Sequence, residues 1–404
     1  MAGKALNDSA NDRVAETSTL LCVSNFPSDV GFAWDFIAKL WVGIAEKIAV
    51  EGVRTIVAYP SMPVPSRFLH GSQAKAIVLD ATLRDFRSAI SLFKYVRKTN
   101  VRYVYLTDRP FVSFAYLCLR AVGVNRIVVH DHTSGERTKP TGLKRWMKWV
   151  IARLPLVGAD DVICVSDYVV RRQIEVALIP ASRVKRVWNG LPIQEIGKAK
   201  THEILNIDPE RPILICACRA SQVKGVQYLL YAFEELWNRL PPSDPRPVLV
   251  YVGDGPDFQS LESIRETLRS KDDIIFTGYR SDVLTLLLGA QICIVPSVWH
   301  EAFGLGVLEP MSLGRPVVAS AVGAIPELID DGVTGRLVPP ADPSALADAI
   351  HDLMKNKEEC ERLGLAARLR VERDFDIERQ VSKLAEIIIS RPGHRLSAGW
   401  NIPS

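Results

Sequence analysis

Short apolar runs alternate along this chain with longer stretches in which apolar residues return every three or four positions. Residues 20–23 read as a first strand. Across 33–50, Phe36, Leu40, Ile44 and Ile48 stand at four-residue steps, which describes one face of a helix. Runs at 54–59, 76–79, 103–106, 126–130 and 161–165 continue the strand series, with helical stretches between most of them. The pattern restarts after Asn189-Gly190, with strands expected at 212–216, 248–252, 274–276, 292–295 and 316–319. Strand–helix alternation predicts parallel sheets covered on both faces, here as two successive doubly wound α/β domains. Such domains receive ligands at the carboxyl ends of their strands, and two of them would face a central cleft. The expected boundaries are 17–193 for the first domain, a polar linker at 194–211, 212–375 for the second, and a helix at 376–391 packing back towards the first. Residues 1–16 and 392–404 read as loose tails.

Bulk properties agree with this division. A chain of 404 residues exceeds what one core usually organises. The apolar share of 48% and charged share of 24% are those of an ordinary globular protein. A net charge of +4 is too small to imply nucleic acid, so any basic partner site must be local. The seven cysteines show no CxxC pair and no Cys/His spacing for zinc, which fits buried thiols in a reducing cytoplasm. The polar start lacks the basic and apolar regions of a signal peptide, and no run is long and apolar enough for a transmembrane helix.

The chemistry concentrates between Ser297 and Pro340. A strand ends near Pro296, and the following loop holds Glu301, Gly304 and Gly306 before a helix expected from about Leu305 that carries Glu309. Glycine at a strand-to-helix turn lets the backbone approach a ligand closely, and the free N–H groups of a helix start attract phosphate. On one continuous helix, residues eight apart would lie about 80° around the axis. With Glu301 in the loop and Glu309 on the helix, both carboxylates can face one cleft and accept paired hydrogen bonds from sugar hydroxyls. Taken alone, the two acids read more readily as a helix-dipole partner and a solvated loop charge.

The surrounding text is more specific. His300-Glu301-Ala302-Phe303-Gly304-Leu305-Gly306-Val307-Leu308-Glu309 resembles the E-x7-E signature of family 4 glycosyltransferases. Gly314-Arg315-Pro316, Gly323-Ala324-Ile325-Pro326-Glu327-Leu328 and Asp331-Gly332-Val333-Thr334-Gly335 extend the resemblance, as does Arg219-Ala220-Ser221-Gln222-Val223-Lys224-Gly225 after the 212–216 strand. The resemblance implies the two-domain GT-B fold, retaining transfer, no required metal or other cofactor, and a nucleoside-diphosphate sugar as donor, most often UDP- or GDP-linked. It makes 17–193 the acceptor-side domain and 212–375 the nucleotide-sugar domain. By position, Glu309 would bind the ribose, Glu301 the transferred sugar, Arg219 and Lys224 the diphosphate, and the backbone of Phe303, Gly304, Leu305 and Gly306 the sugar and phosphate. Gly253, in a Gly-Asp-Gly turn, and Tyr279 with Arg280 would stand near the nucleotide.

The first half is less legible. Only Gly31 occupies the place of the family's usual Gly-Gly pair. His130, with His132 close behind, stands where family members bring a histidine to the donor sugar. Neither has a third partner at metal-ligand spacing. Ser166 matches a family turn and equally suits a helix N-cap. Residues 137–154 carry Arg137, Lys139, Lys144, Arg145, Lys148 and Arg153 among Trp146, Met147, Trp149, Val150 and Ile151, with no acid. This reads either as a helix with a basic solvent face or as a segment lying on an anionic bilayer, placing the enzyme at the inner face of the plasma membrane. The acceptor would be a glycan or lipid-linked hydroxyl, in cell-surface polysaccharide, lipid-linked glycan or glycolipid synthesis. The alternatives are a non-catalytic nucleotide-sugar-binding protein and another GT-B activity such as a sugar-nucleotide epimerase.

Overall fold

The computed structural model describes residues 17–29, 32–65, 67–193 and 195–390. Gly31 and both tails lie outside the described residues. The first sheet has seven strands, β1 (Thr19–Val23), β2 (Arg54–Tyr59), β3 (Ala74–Val78), β4 (Val101–Thr107), β5 (Arg126–Asp131), β6 (Asp161–Cys164) and β7 (Val184–Arg186), in the order β3-β2-β1-β4-β5-β6-β7. The second has six, β8 (Ile213–Ala217), β9 (Val248–Val252), β10 (Ile274–Phe276), β11 (Ile292–Val295), β12 (Val317–Ser320) and β13 (Arg336–Val338), in the order β10-β9-β8-β11-β12-β13. Pairings in both sheets are parallel. Each order reverses direction once, between β1 and β4 in the first sheet and between β8 and β11 in the second.

Burial explains why the runs were readable. Leu20, Leu21, Cys22 and Val23 are essentially inaccessible, as strands covered on both faces require. Leu40, Ile44 and Ile48 are buried on the helix Phe32–Ala49, joined by Ile37 and Trp41, so the apolar stripe is wider than four-residue steps suggest. In the second sheet, Leu214, Cys216, Leu249, Tyr251, Ile292 and Ile294 pack with Leu229, Phe233 and Leu236 of the helix Val226–Arg239.

Three features differ from the sequence expectation. β7 and β13 are three-residue edge strands bearing Lys185, Arg186 and Arg336, too short and too charged to show a strand period; charge at a sheet edge discourages pairing with another chain. The stretch expected as a plain linker contains a short helix, Thr201–Leu205, whose Thr201 is buried and donates from Oγ1 to the Leu286 carbonyl at 2.9 Å. β3 begins two residues early because Ala74 and Lys75 extend its pairing with Thr55 and Ile56.

By packing, the chain falls into two compact units. One comprises residues up to Val129 with Leu154–Asp161 and the segment from Leu384; the other comprises His130–Arg153 and Val162–Lys383. Within the first, Arg126 is 7% exposed, pairs with Asp161, and donates from Nε to the Ile387 carbonyl at 2.9 Å on the helix Ile377–Ile389. A buried charge stripped of its partner is costly, so Arg126→Ala should destabilise the protein by about 3–5 kcal/mol. Urea denaturation measures this; a loss below about 1 kcal/mol would show that the pair carries little of the packing.

Candidate functional site

In the second sheet, the reversal between β8 and β11 leaves a crevice beyond the carboxyl ends of these two strands, the usual ligand position in an open parallel sheet. The chain after β8 passes Arg219, makes a helical turn at Gln222–Lys224 and enters the helix Val226–Arg239. The chain after β11 runs through Ser297 and Glu301 to the helix Leu305–Ser312. These two loops are pressed together. Val298 and Trp299 donate their N–H groups to the Val223 carbonyl at 3.0 and 3.2 Å. Gly225 has φ +71°, and a Cβ there would stand 2.0 Å from the Pro296 carbonyl oxygen, so only glycine fits. The outcome is an ion pair of 2.5 Å between Lys224 Nζ and Glu301 Oε1, with Ser297 Oγ donating to the same oxygen at 2.9 Å.

The backbone of Glu301 is clamped from its other side. Ala324 N–H donates to the Glu301 carbonyl at 3.0 Å. Gly323, at φ +57°, lies so close that an added Cβ would come within 2.4 Å of Glu301 O and 2.5 Å of Glu301 N. The helix Leu305–Ser312 then starts from Gly304 at φ +114° with no side-chain cap, so its first N–H groups remain available to an anion. An added Cβ on Gly306 would stand 3.8 Å from the Ala217 carbonyl, which puts the first turn of this helix against the end of β8. Phe303 offers only backbone here, because its ring is buried edge-on to Phe375 at 5.9 Å. Glu309 is half-buried in the second turn.

The other expected residues are arranged around this core. Arg219 is exposed and makes no ion pair among the described residues. Gly253 donates to the Gly278 carbonyl at 3.0 Å, and a Cβ on it would overlap the Cys218 carbonyl at 1.9 Å, so the Gly-Asp-Gly turn braces the segment leading to Arg219. Tyr279, next to Gly278, is 74% exposed, while Arg280 is held locally by both oxygens of Asp282 at 2.8 and 2.6 Å. His130 is buried at the end of β5, its ring 4.0 Å from that of His132. Burial, helped by the His132 charge, pushes its pKa well below the ordinary histidine value, so the imidazole is neutral. Gly31 lies outside the described residues.

Several supporting residues carried no recognised role in the sequence. Gly135 N–H donates to the His300 carbonyl at 2.8 Å, and Ser134 Oγ accepts from Ala302 N–H at 3.3 Å. The 131–135 loop is held by Arg172, which donates to Asp131 Oδ2 at 2.9 Å, Thr133 Oγ1 at 2.8 Å and the Gly135 carbonyl at 3.1 Å. Burial raises the Asp131 carboxyl, but Arg172 and Thr133 more than offset this and hold it below the usual carboxylate range. Ser166 is the N-cap of the helix Asp167–Glu175, accepting from Val169 N–H at 3.2 Å, and also donates to the Ala302 carbonyl at 2.6 Å. Glu327 accepts the Asp167 and Tyr168 N–H groups at 2.7 and 2.6 Å, and burial nevertheless pushes its pKa up. Only Ser166 was visible beforehand, as a helix cap.

Residues 38–195 match the family described as Glycosyltransferase Family 4, and residues 197–370 match that described as Glycosyl transferases group 1. N-acetyl-alpha-D-glucosaminyl L-malate synthase of Bacillus anthracis is 28% identical over 281 residues, 69% of this chain and 71% of that protein. Alpha-D-kanosaminyltransferase of Streptomyces kanamyceticus is 30% identical over 264 residues, 62% and 66% of the two chains. Among solved structures, a glycosyltransferase from Rickettsia africae superposes with a TM-score of 0.76 at 19% identity, covering 92% of this chain and 98% of that one. Anabaena HepE in complex with UDP and glucose gives a TM-score of 0.71 at 20% identity, over 91% and 98%. At these identities the structural likeness establishes a shared fold.

The clamp on Glu301 is testable. Gly323→Ala combines a left-handed backbone with overlap on Glu301 and should cost about 1–3 kcal/mol. Thermal melts should show the loss; a melt matching the wild type would mean that the 323–324 turn does not hold Glu301.

Proposed function

The chain belongs to glycosyltransferase family 4 and has the GT-B fold, and from that premise we propose that it transfers a hexose-type sugar from a nucleoside-diphosphate sugar to an acceptor hydroxyl, with retention and without a required metal. The observation that carries this reading is the Lys224–Glu301 contact at the β8/β11 reversal. A cation and a carboxylate meeting there suit a ligand with an anionic diphosphate at one end and sugar hydroxyls at the other. Lys224 and Arg219 hold the diphosphate, together with the backbone N–H groups from Phe303 to Gly306 at the uncapped helix start. Glu301 accepts from hydroxyls of the transferred sugar, and Glu309, one helix turn further in, from those of the ribose. Tyr279 and Arg280 stand on the nucleobase side, supported through Gly253, and UDP or GDP is the nucleotide. His130 serves the sugar side as a neutral hydrogen-bonding group.

In the transfer, the bond between the sugar's anomeric carbon and the phosphate oxygen breaks, and its electron pair stays on that oxygen. Lys224 and Arg219 neutralise the charge developing on the leaving diphosphate, a preorganised electrostatic effect. The acceptor oxygen bonds the anomeric carbon on the same face, and its proton passes to the departing phosphate oxygen. Glu309→Ala and Lys224→Ala are expected to reduce transfer at least 100-fold, on the order of the loss seen when a preorganised donor is removed, with unchanged circular dichroism. Either variant retaining near-wild-type turnover would sink the assignment.

We also place the enzyme's acceptor side at an anionic membrane surface through residues 137–154. No residue of the helix Gly142–Ile151 is buried. At 100° per residue, Leu143, Trp146, Met147, Val150 and Ile151 share one side, while Lys144, Arg145 and Lys148 take the other. An apolar stripe beside several cations has the chemistry of an interfacial helix on acidic lipid. No helix among the described residues is long and apolar enough to cross a bilayer. Sedimentation with phosphatidylserine vesicles should show binding at low salt that weakens at high salt. Equal recovery in the supernatant with acidic and neutral vesicles would remove this reading, and a lipid-linked acceptor would lose its support.

A further inference from the structure

The reversal of strand order in the first sheet, between β1 and β4, has the same geometric property as the one beside Lys224: two neighbouring strands send their following loops in opposite directions. Asn25, two residues beyond β1, is buried and donates from Nδ2 to the Thr107 carbonyl at the end of β4. Two arginines converge on it. Arg109 donates from Nη2 to Asn25 Oδ1, and Arg84 donates from Nη2 to the Asn25 carbonyl at 2.8 Å while stacking over the Phe26 ring at 5.0 Å. Each follows a non-glycine residue with left-handed backbone, Leu83 at φ 55° and Asp108 at φ 52°. Two strained turns therefore present two like charges to one place, and strain of this kind gathers at ligand sites.

Their positive charge is only partly offset among the described residues. Neither arginine forms an ion pair there. Asp80, the acid that follows β3, is engaged by Thr82 through its N–H at 3.1 Å and its Oγ1 at 2.7 Å, and both Asp80 and Asp108 attract Arg109 without forming an ion pair with it. Arg109 Nε is shielded from solvent and meets no acceptor. Burial, and then the neighbouring Arg84 charge, lower the Arg109 pKa, and Asp108 and Asp80 oppose this more weakly. Each guanidinium carries five N–H donors in a plane that matches the fork of a carboxylate or phosphate. Asn25 engages one of these on each, and the Nη donors it leaves free are the ones open to a ligand.

We propose that Arg84 and Arg109 form an oxyanion-binding site at the β1/β4 reversal, and that the acceptor substrate carries a carboxylate or phosphate which they hold. Calling the ligand an acceptor rests on the glycosyltransferase reading; the anion site itself does not. Phe26 provides an apolar wall at its mouth, and Asn25 fixes the spacing of the two guanidiniums.

The test uses the full chain, first saturated with UDP or GDP, whichever raises its melting temperature, so that the diphosphate-binding residues are occupied. Inorganic phosphate and succinate are then titrated separately, with binding followed by calorimetry. One or both should bind saturably, Arg84→Gln should weaken that binding at least threefold, and R84Q/R109Q at least tenfold. Nucleotide affinity should stay within twofold of wild type in both variants. Saturation by phosphate alone assigns a phosphorylated acceptor, by succinate alone a carboxylated one, and by both a site that takes either. The proposal is overturned if neither anion saturates the wild type or if R84Q, an exposed change that leaves the core intact, binds as the wild type does. Failure of both nucleotides to bind would count against the donor reading instead, and the anion titration keeps its meaning without them.

Discussion

The contact between Lys224 and Glu301 is the point on which the second sheet's architecture converges. These residues are separated by 77 positions and meet because β8 and β11 are neighbours across a reversal of strand order. Side-chain exposures of 31% and 14% place the pair half out of water, where attraction is stronger than at the surface and desolvation is incomplete. In the unliganded protein each charge therefore satisfies the other. On the proposed donor reading, an arriving diphosphate would compete with Glu301 for Lys224, and the released carboxylate would become an acceptor for hydroxyls. Binding of that kind would be an exchange of partners, which limits the desolvation that an isolated buried lysine or glutamate would suffer.

An exchange of this kind works only if the backbone under Glu301 stays in place when its side chain changes partner. The neighbouring peptide groups account for that. His300, Glu301 and Ala302 are held in succession by Gly135, Ala324, Ser134 and Ser166, through both N–H and carbonyl groups. Arg172 and Asp131 stiffen the loop bearing Ser134 and Gly135, and Glu327 closes the start of the helix carrying Arg172. Gly135 also lies where an added Cβ would strike the Trp299 ring at 2.6 Å. The Glu301 loop is thus positioned by residues lying outside it, and their chemistry is mostly hydrogen bonding to its backbone.

The parts readable beforehand were those governed by local pattern. Strands such as Thr19–Val23 and Val248–Val252 declare themselves because both faces are buried, so the apolar run is unbroken. Glu301 and Glu309 were singled out by the resemblance of 300–309 to a family signature, since spacing alone left them as a loop charge and a helix-dipole partner. β7, β13 and the helix Thr201–Leu205 were not, because three to five residues with several charges carry no measurable period. The partnership of Lys224 with Glu301 depends on strand order, which periodicity does not encode. Asp131 with Arg172 and Glu327 with the helix Asp167–Glu175 are similarly long-range, and each residue alone looks like an ordinary surface charge.

Charge placement shows why bulk composition was so uninformative here. A net charge of +4 over 404 residues suggests no partner. The cations are nevertheless gathered where the fold creates openings: Arg219 and Lys224 at one reversal of strand order, Arg84 and Arg109 at the other, and Lys144, Arg145 and Lys148 on a helix with no buried residue. At a reversal the following loops diverge, so side chains there are less covered by packing and more open to a ligand. A cation in such a crevice is screened less than one on a convex surface, because low-dielectric walls concentrate its field. Cationic crevices on both sheets are therefore a consequence of topology acting on a few residues.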